Sequence, residues 1–558
     1  MPDLSRRHFL LGAAVTGAAL TAGRTATHLP PSQARFAFSP PQSPQVSTLP
    51  GRVVHVHSSN ATTWAGQVNY WDYVNQAKVD EMVNVGLMTL TGTQIVADAW
   101  RSLLPNYQVG QGIAIKVSFN NSSNAAGGTA IDAVPEPINA LISGLKLRGV
   151  AEDDIWIYDA IRAIPDRFYN GCDYRTGVRF YDQASRREAT FDSTAPGSYV
   201  TFYPHSGDPL PPVTKVTDVI VNATYLINVP IMKVHSSDTA GVSLGFKNHW
   251  GTIDGPAGLH NYIMLDGPYR RADYNALVDV YRNPNIASKT VLTVADGLFG
   301  SINGYNQPPA PWSTFGNHAP HSLLFATDPI AIDCVMCDLI KAEAEEMPNT
   351  DSYLQLAYQA GLGVFERGNP WSTGYHTITY QRIEAAAQAA TINLSAGWNL
   401  IALPFSPTVN YLADGATAEI TAQGGNCTEI NRWLNGGWSA YVRGLPFNNF
   451  ALAPGSGFFC KCTKPSVWSL TGYPIQQAGV IQLNAGWNLI SISHSAAPLT
   501  AQSLIAGINA QGGNCSEVDR WLNGGWNAYS AGLPFNNFAI ESGQGYFVKC
   551  ATSSSYAA

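Results

Sequence analysis

Between Asn228 and Gly251 the chain gathers Lys233, His235, Asp238, Lys247 and His249 among the glycines Gly241 and Gly251. Lysine ammonium groups pair with the carboxylates or phosphates of an anionic ligand. Histidine titrates near neutrality and serves as acid, base or metal ligand. Glycine lets backbone amides come close to a ligand. The plainer reading is a polar loop that turns after a buried strand. The functional reading gives catalytic roles to Lys233, His235, Lys247 and Asn248 and a cofactor-binding role to His249. His260, close in sequence to Asp254 and Asp266, adds a further imidazole.

A second cluster is Asp328-Pro-Ile-Ala-Ile-Asp333-Cys334-Val-Met-Cys337. Asp328 before a proline suits a helix start, with the carboxylate as cap and proline in the first turn. Asp333 then falls within the first turns and joins the catalytic set. The spacing of Cys334 and Cys337 resembles a redox or metal pair, but no second pair accompanies them. Thiols on such an apolar helix read as small buried hydrophobes.

These groups need a scaffold. Gly51–His57 and Asp154–Asp159 read as strands, as do Gly112–Phe119, Val216–Val229, Thr290–Asp296 and Ser322–Asp328. The helical stretches are 72–87 and 135–147. Strands alternating with helices predict an α/β domain over 51–385, a mixed or parallel sheet with flanking helices. Ligands in such sheets sit beyond the carboxyl ends of the strands. Asn120, Asp159 and Asp296 fall at or just past those ends and join Asp328 as cofactor-binding candidates. A lone aspartate there also serves as a cap or turn former.

Residues 391–475 and 478–555 repeat each other at a spacing of about 88, and both predict small, mostly β modules with one helix such as Ala501–Ala510. Ala396-Gly-Trp-Asn-Leu-Ile401 returns as Ala485-Gly-Trp-Asn-Leu-Ile490, and Arg432-Trp-Leu-Asn-Gly-Gly-Trp438 as Arg520-Trp-Leu-Asn-Gly-Gly-Trp526. Cys427 and Cys462 lie 35 residues apart, as do Cys515 and Cys550, while Cys460 is matched by Val548. One disulfide in each repeat is the expectation for an oxidising compartment. Trp398, Trp433, Trp438, Trp487, Trp521 and Trp526 fit either a buried core or sugar-stacking faces.

The start, Ser5-Arg6-Arg7-His8-Phe9-Leu10, followed by a short apolar run to Ala22, has the layout of a twin-arginine signal over 1–28. Pro- and Ser-rich residues 29–50 read as a linker. The expected partner is the twin-arginine translocation machinery. The expected location is periplasmic, cell-surface or extracellular. The net charge of -7 gives no general attraction for nucleic acid. No later apolar run reaches the ~20 residues of a transmembrane anchor. Walker, dinucleotide-binding, Gly-x-Ser-x-Gly and His-Glu-x-x-His signatures are absent. A divalent transition metal is compatible with the histidine and carboxylate set. The four-cysteine run of an iron–sulfur cluster is missing.

The large domain resembles the family known as domain of unknown function 362. The resemblance rests on Ile115-Lys116 followed by Asn120, Asn228-Val-Pro-Ile-Met-Lys233-Val-His235, Gly241, Lys247-Asn248 with Gly251, Val294-Ala-Asp296-Gly297 and Asp328-Pro-Ile-Ala-Ile-Asp333. Members often carry ferredoxin-like cysteine motifs that imply redox work, and this sequence departs from that pattern. The C-terminal modules resemble GWNLIS-type repeats appended to secreted bacterial proteins. Two functions follow as expectations. One is an exported enzyme or cofactor-binding protein handling a small anionic ligand. The other is a non-catalytic envelope protein whose repeats attach to a cell-surface or extracellular polymer.

Overall fold

The computed structural model describes residues 49–235, 241–344, 350–407, 411–475, 480–495 and 497–557. The signal expected at 1–28 and nearly all of the linker lie outside the described residues, as does Asp238. Two compact units emerge, one ending at Ala386 and the other starting at Ala387.

The first unit is built on one mixed sheet. Its strands are β1 (Arg52–His57), β2 (Ile113–Lys116), β3 (Ile155–Tyr158), β4 (Arg179–Asp182), β5 (Arg187–Glu188), β6 (Tyr225–Asn228), β7 (Ile231–Lys233), β8 (Thr290–Ser301), β9 (Ser322–Ala326) and β10 (Thr379–Glu384). They lie in the order β10-β1-β9-β8-β6-β2-β3-β4-β5, with β7 also on β8. Only β9 runs antiparallel, to both β1 and β8; the other pairings are parallel. Parallel strands covered on both faces read as continuous apolar runs, and β2, β6 and β8 are buried at every position. The carboxyl ends of β2, β3 and β6 therefore share one edge of the sheet with the start of β9.

Helices Gln76–Thr91, Glu136–Leu147 and Pro329–Lys341 are the longer ones of this unit. The first begins later than its apolar pattern predicts. Asn75 caps it through Lys78 N, and Tyr70–Tyr73 forms a separate 3-10 turn. The expected strand over 216–229 is also divided. Thr217 accepts from Val219 N and starts a short helix, Asp218–Asn222, so extended structure begins only at Tyr225. An apolar run with a threonine at its head supports either form, and the cap decides. No helix among the described residues is long and apolar enough to cross a membrane.

The second unit contains two four-stranded antiparallel sheets of the same order. One is formed by Gly397–Ala402, Gly457–Cys462, Cys427–Leu434 and Gly437–Val442. The other is formed by Gly486–Ile490, Tyr546–Cys550, Cys515–Leu522 and Gly525–Ser530. Each carries one helix, Ala413–Ala422 or Ala501–Ala510. The Asn-Gly turns at 435–436 and 523–524 have positive φ at both residues, the hairpin geometry this dipeptide favours.

The tryptophans hold the sheets together. Leu400, Phe459, Leu489 and Phe547 form a core against which Trp398, Trp433, Trp438, Trp487 and Trp521 pack. Trp433 Nε1 donates to the Trp487 carbonyl at 2.8 Å, and Trp521 Nε1 returns the contact to Trp398 at 3.1 Å. Gly457 and Gly545 meet so closely that a Cβ on either would sit 3.2 Å from the other's Cα. Of the six tryptophans offered as sugar-stacking faces, five are thus largely spent between the repeats, and Trp526 is 39% exposed. The expected disulfides are not formed in this structure. All eight cysteines are free and buried, although Cys427 faces Cys462 and Cys515 faces Cys550 across neighbouring strands.

Candidate functional site

A single hydrogen-bond chain runs along the carboxyl edge of the first unit's sheet. Asp333 accepts from Gly245 N at 2.8 Å, Phe246 N at 3.2 Å and Tyr353 OH at 3.2 Å. The Gly245 carbonyl accepts from Asn228 Nδ2 at 3.0 Å, and Asn228 Oδ1 accepts from Asn248 Nδ2 at 2.8 Å. Asn248 Oδ1 accepts from Lys116 Nζ at 3.2 Å, and Lys116 pairs with Asp159 at 3.1 Å. Every side chain in this chain is buried. Its ends lie just past β3 and on the Pro329–Lys341 helix, so it clamps the short helix Gly245–Asn248 between them.

Two glycines admit the clamp. A Cβ on Gly245 would fall 2.7 Å from Asp333 Oδ1, and one on Gly251 2.6 Å from Asp159 Oδ1 and 2.7 Å from Lys116 Nζ. Gly251→Ala is therefore expected to part the ion pair and lower stability by about 1–3 kcal/mol, as overpacking does. Denaturant unfolding checks this, and an unchanged midpoint would contradict it.

The clamp fixes Lys247, whose surroundings differ sharply from those of its neighbours. Lys247 is 4% exposed, and among the described residues its Nζ has no hydrogen-bond partner. It sits 3.6 Å from the centroid of the Trp250 ring. Burial without compensation holds its amine well below the usual lysine range. His249 Nε2 and Trp250 Nε1 are also buried without partners among the described residues, so three polar atoms within four residues are unsatisfied there. Native structures satisfy most such atoms, which makes this concentration informative.

Lys233, at the end of β7, is fully buried and reaches the Tyr305 carbonyl at 3.4 Å. Desolvation pulls it down to about 8, with Asp132 opposing. The His235 ring stacks on Tyr305, centroids 4.7 Å apart and 11° from parallel. Burial, then the charges of Lys247 and Lys233, hold its imidazole down at about 2. Both lysines therefore act on one neutral imidazole.

The other expected residues have different placements. His249 lies edge-on to Tyr281, bonds Thr252 Oγ1 at 3.2 Å, and is kept neutral by burial. Asp328 accepts from Ile330 N, Ala331 N, Gly51 N and Val364 N, a structural cap on the β1 side. Asn120 is half-buried, its carbonyl bonded by Arg162 Nε at 3.0 Å. Asp296 is buried in β8 beside the Glu136 carboxyl and accepts from Leu298 N. Cys334 and Cys337 are buried, and desolvation raises both thiols.

Burial raises Asp296 to about 7, against an ordinary value near 4. A raised folded-state value favours folding at low pH, and that advantage disappears as pH climbs from about 4 through about 7. Asp296→Asn removes this titration. The variant's stability relative to wild type should rise by on the order of 2–4 kcal/mol between about pH 4 and about pH 8. Paired denaturant curves at the two pH values test the sign, and a constant difference would contradict it.

Sequence reading missed Asp132, Tyr305 and the carboxyl group of Glu136, and it gave Asn228, quoted at the head of the 228–251 stretch, no role of its own. Asp132 accepts from Ser122 Oγ at 2.8 Å and faces Lys233. It also missed His321, buried at the same edge with a positive φ of 47° and its Nε2 2.9 Å from Thr62 Oγ1. None of these has a spacing signal. Among the described residues no group of three or more His, Cys, Asp or Glu is arranged to hold a metal ion. A cleft of about 400 Å³ opens beside Ala160 and Ile161, but its charged lining is Glu188, Asp192 and Asp254. That lining repels an anion, so the lysine group and not this cleft is the candidate site.

No curated protein matches the chain. Residues 113–338, the span that holds Lys116, Asp159, Asn228, Lys233, His235, Lys247, Asn248 and Asp333, match the family model described as Domain of unknown function (DUF362).

Proposed function

We propose that the first unit binds a small anionic ligand, bearing a carboxylate or phosphate, through Lys233, His235 and Lys247. The observation that carries this reading is the run of unsatisfied buried polar atoms at Lys247, His249 and Trp250 among the described residues, with Lys233 held by one backbone acceptor and facing Asp132. A buried amine without an acceptor is expensive, and an anion supplies one. Lys116 is excluded from ligand binding because Asp159, Asn248 and the Val117 carbonyl already occupy it. Calorimetric titration with malonate and with inorganic phosphate tests the proposal. Saturable binding of either, weakened in Lys233→Met, is expected; no heat from either would overturn it.

The leader supports export by the twin-arginine route. In an oxidising compartment the facing thiols Cys427 and Cys462, and Cys515 and Cys550, would oxidise to one disulfide in each repeat. Alkylation before and after reduction, read by mass spectrometry on exported protein, should find these four cysteines protected. Free alkylation of all four would contradict it.

A second reading, attachment to an envelope polymer, draws on both repeats exposing the same apolar tip. Leu445 and Phe447 are 42% and 57% exposed, and Leu533 and Phe535 are 42% and 58% exposed. A cell-wall pull-down with Phe447→Ser and Phe535→Ser separates this reading from ligand binding by the first unit.

A further inference from the structure

We propose that Lys247 condenses with the carbonyl group of a small 2-oxo acid to form an imine, a step that rests on the anion-site reading above. Carbonyl condensation needs an uncharged amine, and desolvation is the usual way to obtain one near neutral pH. Lys247 has what this requires. It is buried, has no acceptor among the described residues to hold its proton, and lies against the apolar face of Trp250.

The neighbours divide the remaining work. Lys233 remains the charged group and fits the carboxylate of the oxo acid, which fixes the substrate class. His235 stays neutral beside them and adds no charge of its own to the site. In the step itself, Lys247 Nζ attacks the carbonyl carbon and a C–N bond forms. Both protons of the uncharged amine pass in turn to the carbonyl oxygen, the C–O bond breaks, and one water leaves. The product is a C=N bond, with no oxidant or reductant consumed. The clamp from Asp333 to Asp159 holds the helix that presents Lys247, so Asn228 and Asn248 are positioning residues.

The test uses the full chain with glyoxylate or pyruvate and sodium cyanoborohydride, which reduces an imine to a stable amine. Peptide mapping should find one adduct on Lys247, formed faster than on exposed Lys464 and blocked by excess malonate. Propanal, which lacks the carboxylate, should label Lys247 at least roughly tenfold more slowly, the effect of about 1.4 kcal/mol of carboxylate recognition. Lys247→Arg should lose the adduct, and malonate protection of wild type makes the same point without any variant. If malonate binds saturably and Lys247 labels no faster than Lys464, the imine proposal falls and the anion site stands. If malonate neither binds nor protects, both fall.

Discussion

Asp159→Ala is expected to destabilise the first unit by about 3–5 kcal/mol, the range for breaking a buried ion pair from one side. Asp159 neutralises Lys116 and also accepts from Phe119 N at 3.2 Å and Ile161 N at 3.3 Å. Removing the carboxylate leaves a fully buried ammonium with only the Val117 carbonyl and Asn248 Oδ1. The loss arises from that uncompensated charge more than from the attraction itself. Asp159→Asn combined with Lys116→Met should therefore recover much of it, because the amide oxygen still serves one of the two backbone donors and no charge remains. Urea unfolding of the two single variants and the double variant measures the coupling. Additive losses would show that the pair is not the source.

Lys247→Met should move stability the other way while abolishing ligand binding. Methionine keeps the length of the stem and packs on Trp250, whereas the amine it replaces is a buried donor without an acceptor among the described residues. Relief of that penalty predicts a gain of about 1–3 kcal/mol. Stability stored against function in this way is typical of a binding site and atypical of a structural lysine. Lys289 provides the contrast. It is also buried, but it donates to the Ile220 and Val221 carbonyls at 2.7 and 2.9 Å, and Lys289→Met should destabilise.

Part of this arrangement was legible in the sequence. Apolar runs marked β2 and β3, and the Asp328-Pro pair announced its own helix cap. Lys116 entered the sequence reading only through the family resemblance, whereas Asp159 was visible at the next strand's end. Their pairing was not, because it depends on β2 and β3 being neighbours in register, with Lys116 opposite Tyr158. The link between Asn228 and Asn248 joins a strand end to a helix twenty residues later, and short-range periodicity has no term for that. The reversed direction of β9 was equally hidden, since antiparallel and parallel buried strands share one apolar pattern. Asp333 was expected near the chemistry, but it acts by capping Gly245 and Phe246. The unsatisfied state of Lys247 is a property of everything packed around it, so no local pattern could report it. The tryptophans of the repeats allowed a core or a platform, and only the docking of one sheet on the other selected the core.

The most direct test of the anion site is the titration of individual lysines by NMR of the isotopically methylated full chain, with and without malonate. One resonance, absent in Lys247→Met, should titrate far below the other lysines and move upward when malonate is added. If every lysine titrates in the ordinary range, or if malonate leaves that resonance unmoved, Lys247 is not a ligand-binding amine and the account is wrong.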